Sequence, residues 1–430
     1  MSFKNKFIHE LLDTHKITQD EYNILFEKTE YKEDFLVILN KVILIFKEEE
    51  HLHLDGISFP NLPQLSDFYS YIINILGTRC SNNLREIGFW NCNFYSEINI
   101  KEVPIKHHLC FGKAIFHKKV NFNKSTFEKR IDFLQTTFKD DITFSGTKFQ
   151  DEAHFWDSDA HKFIGFQSVT CSKIFSIHRL AFKTMDMDNA QFKEVNFVGL
   201  VGLNNNKYVT LNKTHFSNKE TTILLRSYLE KHNHITEANK YFQIGQDLYI
   251  DYLRERITEP NIDNLKERIT EPNGISTLSV LYLNKLVSNF GTDWIRPLLV
   301  MFIFGFFASF FYYVMPLSEK ESIELFNNTK NVLWWSSGGF LFATLFYIIY
   351  LSKEWGILII LSLSYIVLLI SVPDTRSLTN DISKLINPLN IFKSKDYFEH
   401  IAPYGMIVKL VMATLIYQFI IAFRQNTRRK

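Results

Sequence analysis

The residues of this chain most able to do chemistry are its histidines, and several come in close pairs: His51 and His53, His107 and His108, His232 and His234. In His51-Leu52-His53, alternation along a strand would set both rings on one side, as two ligands of a metal require. No third ligand stands at a workable spacing, so these are expected to be solvated side chains, with no metal and no cofactor. Cys80, Cys92, Cys110 and Cys171 show no CxxC spacing, which points to packing rather than to zinc or disulfides. There is no P-loop, no GxSxG and no HExxH, and the chain is expected not to be an enzyme. The remaining candidates are polar residues inside a long apolar run, Lys409 and Gln418. A charge within a bilayer marks a pathway or a partner unless it snorkels to the headgroups.

The elements that would position these residues are set by another rhythm. Phenylalanine recurs at 111, 116, 122, 127, 133, 138, 144, 149 and 155, followed by Ala160 and Phe166, with gaps alternating five and six. Neither a helix nor a strand has that period. Self-similarity at a short fixed interval is the mark of a solenoid, whose units bury their apolar residues by stacking. The core ladder is therefore Phe111, Phe116, Phe122, Phe127, Phe133, Phe138, Phe144, Phe149, Phe155 and Phe166. Two positions before these sit small residues (Ala114, Ser125, Thr136, Thr147, Ala153) or branched ones (Val120, Ile131, Ile142, Ile164). This pairing resembles the pentapeptide-repeat family, which implies a right-handed quadrilateral β-helix with both positions inward. The extra residue of alternate repeats calls for a bulge at a corner. Weaker matches from Ile87-Phe89 to Val195-Phe197, with a register slip near Met187, extend the coil to residues 84–217, or about six turns.

The net charge of +2 and the 46% hydrophobic content hide a split between two halves. After residue 290 come four apolar runs long enough to cross a bilayer: 297–315, 332–351, 355–372 and 402–423. Trp294, Tyr312, Tyr313, Trp334, Tyr350, Trp355 and Tyr404 near their ends resemble an interfacial belt. Arg296, Lys353 and the tail Arg424, Arg428, Arg429 and Lys430 place those ends in the cytoplasm by the positive-inside rule. No signal peptide is recognised, so the coil is expected on the same side. The expected domains are a helical cap (1–83), the β-helix (84–217), a helical connector and linker (218–290) and a four-helix transmembrane domain (291–430). The linker repeats Glu-Arg-Ile-Thr-Glu-Pro-Asn at 255–261 and 267–273. LYLNKLVSNFGTDWIRPL (281–298) and YQFIIAFRQNTRRK (417–430) are similar to segments of bacterial pentapeptide-repeat membrane proteins. That resemblance implies an inner-membrane location and carries over no catalytic residue.

Two functions fit this layout. One is a non-enzymatic, membrane-anchored scaffold that presents the coil to a protein partner. The other is an ion channel or membrane-perturbing effector with the coil as sensor or oligomerisation domain, Lys409 and Gln418 lying in its fourth span. The lipid bilayer is the expected partner of the second half, and self-association is open in both readings. Nucleic acid is not expected. Residues 84–220 hold 19 Lys and Arg against 15 Asp and Glu, too balanced for a DNA mimic and unclustered for a nucleic-acid binder.

Overall fold

The computed structural model describes residues 16–26, 32–46, 49–81, 83–258, 274–314, 345–348 and 402–427. The chain divides into two compact units, Met1–Tyr249 and Ile250–Lys430.

The first unit is a four-sided β-solenoid. Strands as short as two residues cannot stand alone, and here they are held by parallel pairing to neighbouring rungs, on both edges except at the ends of the sheets. The pairing partners lie 22 positions apart: Thr126 with Lys148, Ile131 with Ala153, Thr137 with Asp159, and Ile142 with Ile164. The first side runs through Glu86–Gly88, His108–Cys110, Ile131–Asp132 and Ala153–His154. The other three run through Ile115–Phe116, Val120–Asn121 and Thr126–Phe127 and their stacked equivalents.

Phenylalanines stack on themselves inside this tube. Ring centroids lie 5.1 Å apart from Phe89 to Phe111, 5.2 Å from Phe111 to Phe133 and 4.9 Å from Phe133 to Phe155. Phe116 over Phe138, Phe122 over Phe144 and Phe127 over Phe149 continue the pattern on the other sides. All ten residues of the expected ladder are at most 1% exposed. The small residues two positions before them also point inward, and the hydroxylated ones carry hydrogen bonds. Ser125 Oγ donates to the Ile100 carbonyl at 2.6 Å, Thr136 Oγ1 to Phe111 at 2.7 Å and Thr147 Oγ1 to Phe122 at 2.7 Å.

The alternating gaps produce two kinds of corner. Five-residue gaps close by a tight turn with a left-handed residue at its third position. These are Lys113, Lys124, Gln135, Gly146, Asp157, Ser168 and Arg179, with φ between 52° and 68°. The amide that follows bonds back to the phenylalanine carbonyl, as from Ala114 to Phe111 at 3.1 Å. Six-residue gaps make a wider corner that takes up the extra residue: His117-Lys118-Lys119, Glu128-Lys129-Arg130, Lys139-Asp140-Asp141 and Gln150-Asp151-Glu152. Beyond Phe182 these wide corners shorten. Phe182 to Met187 and Phe192 to Phe197 are both five-residue steps, so the pairing tightens from Asp159 with Ala181 to Phe163 with Thr184 across a bulge. The register slip expected near Met187 is this lost residue.

Two boundaries differ from expectation. The coil starts before residue 84, because His51–His53 and Ser58–Phe59 already form a rung under Glu86–Gly88 and Asn93–Phe94. It makes about five turns from Glu86 to Asn196 rather than six, since Lys207–Val209 turns back antiparallel on Val201–Asn204. Helices α1 (Gln19–Phe26), α2 (Lys32–Ile45) and α3 (Phe68–Ser81) close the N-terminal end, where Phe35 meets Phe59 and Phe68 meets Phe89 edge to face. Helices α4 (Lys219–Lys231) and α5 (Ile235–Thr258) follow the coil. The Asn218 side chain caps α4 through the Thr221 amide at 2.9 Å, and Tyr228 and Tyr241 pack on Phe197 and Phe216.

The second unit contains α6 (Gly274–Ser288), α7 (Ile295–Val314) and α8 (Ala402–Thr427). Val287, Val408, Met412 and Leu415 form its buried cluster, with Val300, Met301 and Phe304 against them. Among the described residues no helix is long and apolar enough to cross a membrane, so the expected four-span domain lacks support there. Two of its runs coincide with α7 and α8. The runs 332–351 and 355–372 lie outside the described residues apart from 345–348, as does the second copy of the linker repeat.

Candidate interaction surface

The outer surface of the coil, not an enclosed cavity, carries the chemistry of the first unit. On its first side Ile87, Leu109, Ile131 and Ala153 point inward at successive rungs, and charged side chains collect around them: Glu86, His108, Arg130 and Glu152 just before, Asp132 and His154 just after. His108 Nε2 lies 2.8 Å from Asp132 and its Nδ1 3.6 Å from Glu86. Arg130 bonds Asp132 at 2.8 Å and reaches Glu152 at 3.7 Å, and His154 lies 3.2 Å from Glu152. The result is an ion-pair ladder of alternating sign running along the coil.

The protonation states follow from these contacts. Burial opposes charge on His108, but its hydrogen bonds to the carboxylates of Asp132 and Glu86 outweigh it and push the imidazole up to about 9. Burial likewise opposes ionisation of Asp132, yet His108 and Arg130 hold it below the usual carboxylate value. A histidine already charged at neutral pH cannot accept a proton as a general base. The nearest thiol, Cys110, is pushed up to about 11, first by burial, which keeps it from acting as a thiolate nucleophile.

Beside this ladder, at the corner of the first two sides, runs an apolar stripe. Trp90, Leu134 and Trp156 each follow an inward phenylalanine (Phe89, Phe133, Phe155) on successive or alternate rungs. Gly112 occupies the rung between Trp90 and Leu134, and a Cβ there would meet the Trp90 ring at 2.5 Å, so only glycine lets the indole lie flat. Trp156 is exposed and held in one orientation, its Nε1 donating to Ser176 Oγ at 2.6 Å and its ring edge-on to His154. A rigid, half-wet tryptophan is the kind of residue that anchors protein interfaces.

The expected histidine pairs separate in three ways. His51 and His53 do share one side, with stacked rings 6.1 Å apart and Leu52 buried between. His107 turns inward and meets the Tyr69 hydroxyl at 2.8 Å, while His108 faces out. His232 and His234 are exposed at the junction of α4 and α5. Among the described residues no group of three or more His, Cys, Asp or Glu is placed to hold a metal. Cys92, Cys110 and Cys171 are free and buried. Gln418 Oε1 accepts from Ser288 Oγ at 3.3 Å, a helix-to-helix contact. Lys409 lies on α8, and its side chain is outside the described residues.

Sequence reasoning passed over Trp156 and the ladder around Asp132. The available signal was an outward repeat position carrying a large apolar or paired acidic residue where a lone polar one is usual. Residues 111–159 match the family model of pentapeptide repeats, in 9 copies. No curated protein and no solved structure matches the chain.

Proposed function

We propose that this chain is a non-enzymatic scaffold, anchored in the inner membrane of a bacterium, whose coil presents its outer surface to a protein partner in the cytoplasm. The observation that carries the reading is Trp156, exposed and fixed at the edge of the ion-pair ladder. A flat platform with one aromatic anchor and a rim of alternating charge suits reversible recognition of another protein. The repeated fold adds rigidity, since the rungs inside the coil are paired on both edges. Anchorage rests on the four apolar runs of the sequence and on the apolar residues Ile407, Leu410, Tyr417, Ile420 and Phe423 exposed on α8.

The test is site-specific photo-crosslinking in cells from Trp156, with Lys183, exposed on another side of the coil, as control. A discrete adduct from Trp156, lost when Leu134→Asp is added, is the expected outcome. Adducts of equal yield from both sites would refute a defined docking face.

A further inference from the structure

The coil ends in a hairpin, and between that hairpin and α5 lies a groove of about 400 Å³, within the range of small-molecule sites. The hairpin is a fixed wall. Val201–Asn204 pairs antiparallel with Lys207–Val209 through a turn in which Asn205 and Asn206 are both left-handed, with φ of 47° and 62°, the geometry that suits a two-residue connection. Its tip is fastened to the strand Asp159–Gly165. The Tyr208 hydroxyl donates to Asp159 at 3.2 Å, and Asn206 Oδ1 meets His161 Nδ1 at 2.8 Å. The opposite wall is α5, whose Ala238, Tyr241 and Ile244 are buried in the core that runs through the coil.

The lining is apolar with one polar group set into it. Phe197, Leu200, Val209, Leu211 and Ile244 contribute hydrocarbon. Tyr241 is only 7% exposed, and its ring is fixed edge to face against Phe216 with centroids 6.0 Å apart. Its hydroxyl nevertheless makes no hydrogen bond among the described residues. The oxygen is not sealed inside the protein, so it opens on the groove that Tyr241 lines. Burial, helped by the charge of Glu237, holds the phenol well above its usual value, which keeps it a neutral donor. A hydroxyl placed among hydrocarbon without an acceptor is costly until a partner arrives. Glu237 and Lys240 supply one charge of each sign at the rim, a balance that favours no net charge in the occupant.

We propose that this groove binds a small uncharged carbonyl compound, its oxygen accepting from the Tyr241 hydroxyl and its hydrocarbon body lying on Leu200, Val209, Leu211 and Ile244. The site shares no residue with the Trp156 stripe or the ion-pair ladder, so the scaffold reading and this one stand or fall independently.

Acetophenone is a suitable probe, followed by ligand-observed NMR against the full chain beside cumene, which carries a methyl group in place of the oxygen. Saturable binding of acetophenone is expected. Tyr241→Phe keeps the ring and removes the donor, and should weaken acetophenone about five- to tenfold while leaving cumene no weaker. Val209→Trp, which fills the groove from a half-exposed position on the hairpin, should abolish binding of both. An unaltered melting temperature would show that each variant folds. Absence of saturable binding by the wild type, or binding that survives Val209→Trp, would overturn the site. Undiminished acetophenone affinity in Tyr241→Phe, or equal weakening of both probes, would overturn the role of the hydroxyl and with it the carbonyl class of ligand.

Discussion

Thr136 is fully buried among phenylalanines, yet its hydroxyl is not orphaned, because it donates to the Phe111 carbonyl at 2.7 Å. A buried hydroxyl without a partner costs a few kcal/mol, so Ser and Thr are tolerated in this core only where the rung before supplies a carbonyl. Thr136→Val keeps the shape and removes the donor. It is expected to destabilise the full chain by about 1 kcal/mol, measured by urea unfolding. The ladder residue His108 makes a second prediction, through pH. Its folded value, about 9, lies above the ordinary imidazole value of 6.5. Its contribution is therefore fully present below that ordinary value and is lost as pH rises through about 9. His108 is partly open to water, so solvent screening reduces the effect to about 1 kcal/mol. Wild type should lose that much more stability than His108→Gln between about pH 6.5 and pH 9.5, and parallel curves would mean that the pairs with Asp132 and Glu86 contribute nothing.

At the scale of the element, the corner dictates what each repeat can contain. The left-handed position recurs every eleven residues and is filled by Lys113, Lys124, Gln135 and Asp157, but at one rung by Gly146. A side chain there costs about 1–2 kcal/mol, partly offset because glycine has more freedom to lose on folding. Gln135→Gly should thus be neutral or stabilising by up to about 1 kcal/mol, and Gly146→Val destabilising by at least as much, because a branched residue suits that region least. A melting temperature unchanged or raised in Gln135→Gly and lowered in Gly146→Val is the readout; loss of stability in both variants would sink the corner assignment. The coil was legible because inward positions repeat in kind and the phenylalanine spacing is kept for five eleven-residue repeats. Its first rung was not, since α3 interrupts the chain between Phe59 and Glu86 and the eleven-residue rhythm cannot be read across a helix. The surface was less legible again. Outward positions are free of packing, so nothing in the spacing marks Trp156 or Asp132. Only the fold reveals that residues 22 apart, such as Cys110 and Asp132, are neighbours.

For the whole molecule the decisive question is where the second half sits. The proposal that it is an anchor requires the coil and the tail after Arg424 to share one side of a bilayer, and hence an even number of crossings. The described helices do not decide this, for none is long and apolar enough to cross, and the runs 332–351 and 355–372 lie outside the described residues apart from 345–348. Chemistry in intact cells can decide it. Single cysteines are introduced as Thr126→Cys, Asn380→Cys and Asn426→Cys in a chain whose four native cysteines are alanine, and treated with a membrane-impermeant maleimide. Asn380→Cys is expected to react, with Thr126→Cys and Asn426→Cys protected until the cells are lysed. Reaction at Asn426→Cys with protection at Thr126→Cys would mean an odd number of crossings and a basic tail on the wrong side. Release of the chain from membranes by alkaline carbonate would remove the anchor altogether. Lys409→Met then separates the anchor from a pore. A lysine that only snorkels makes no essential pair, so its loss should leave membrane potential unchanged at matched expression. A depolarised cell would mean that a ring of these lysines had been holding cations out, and the scaffold would have to be a channel as well.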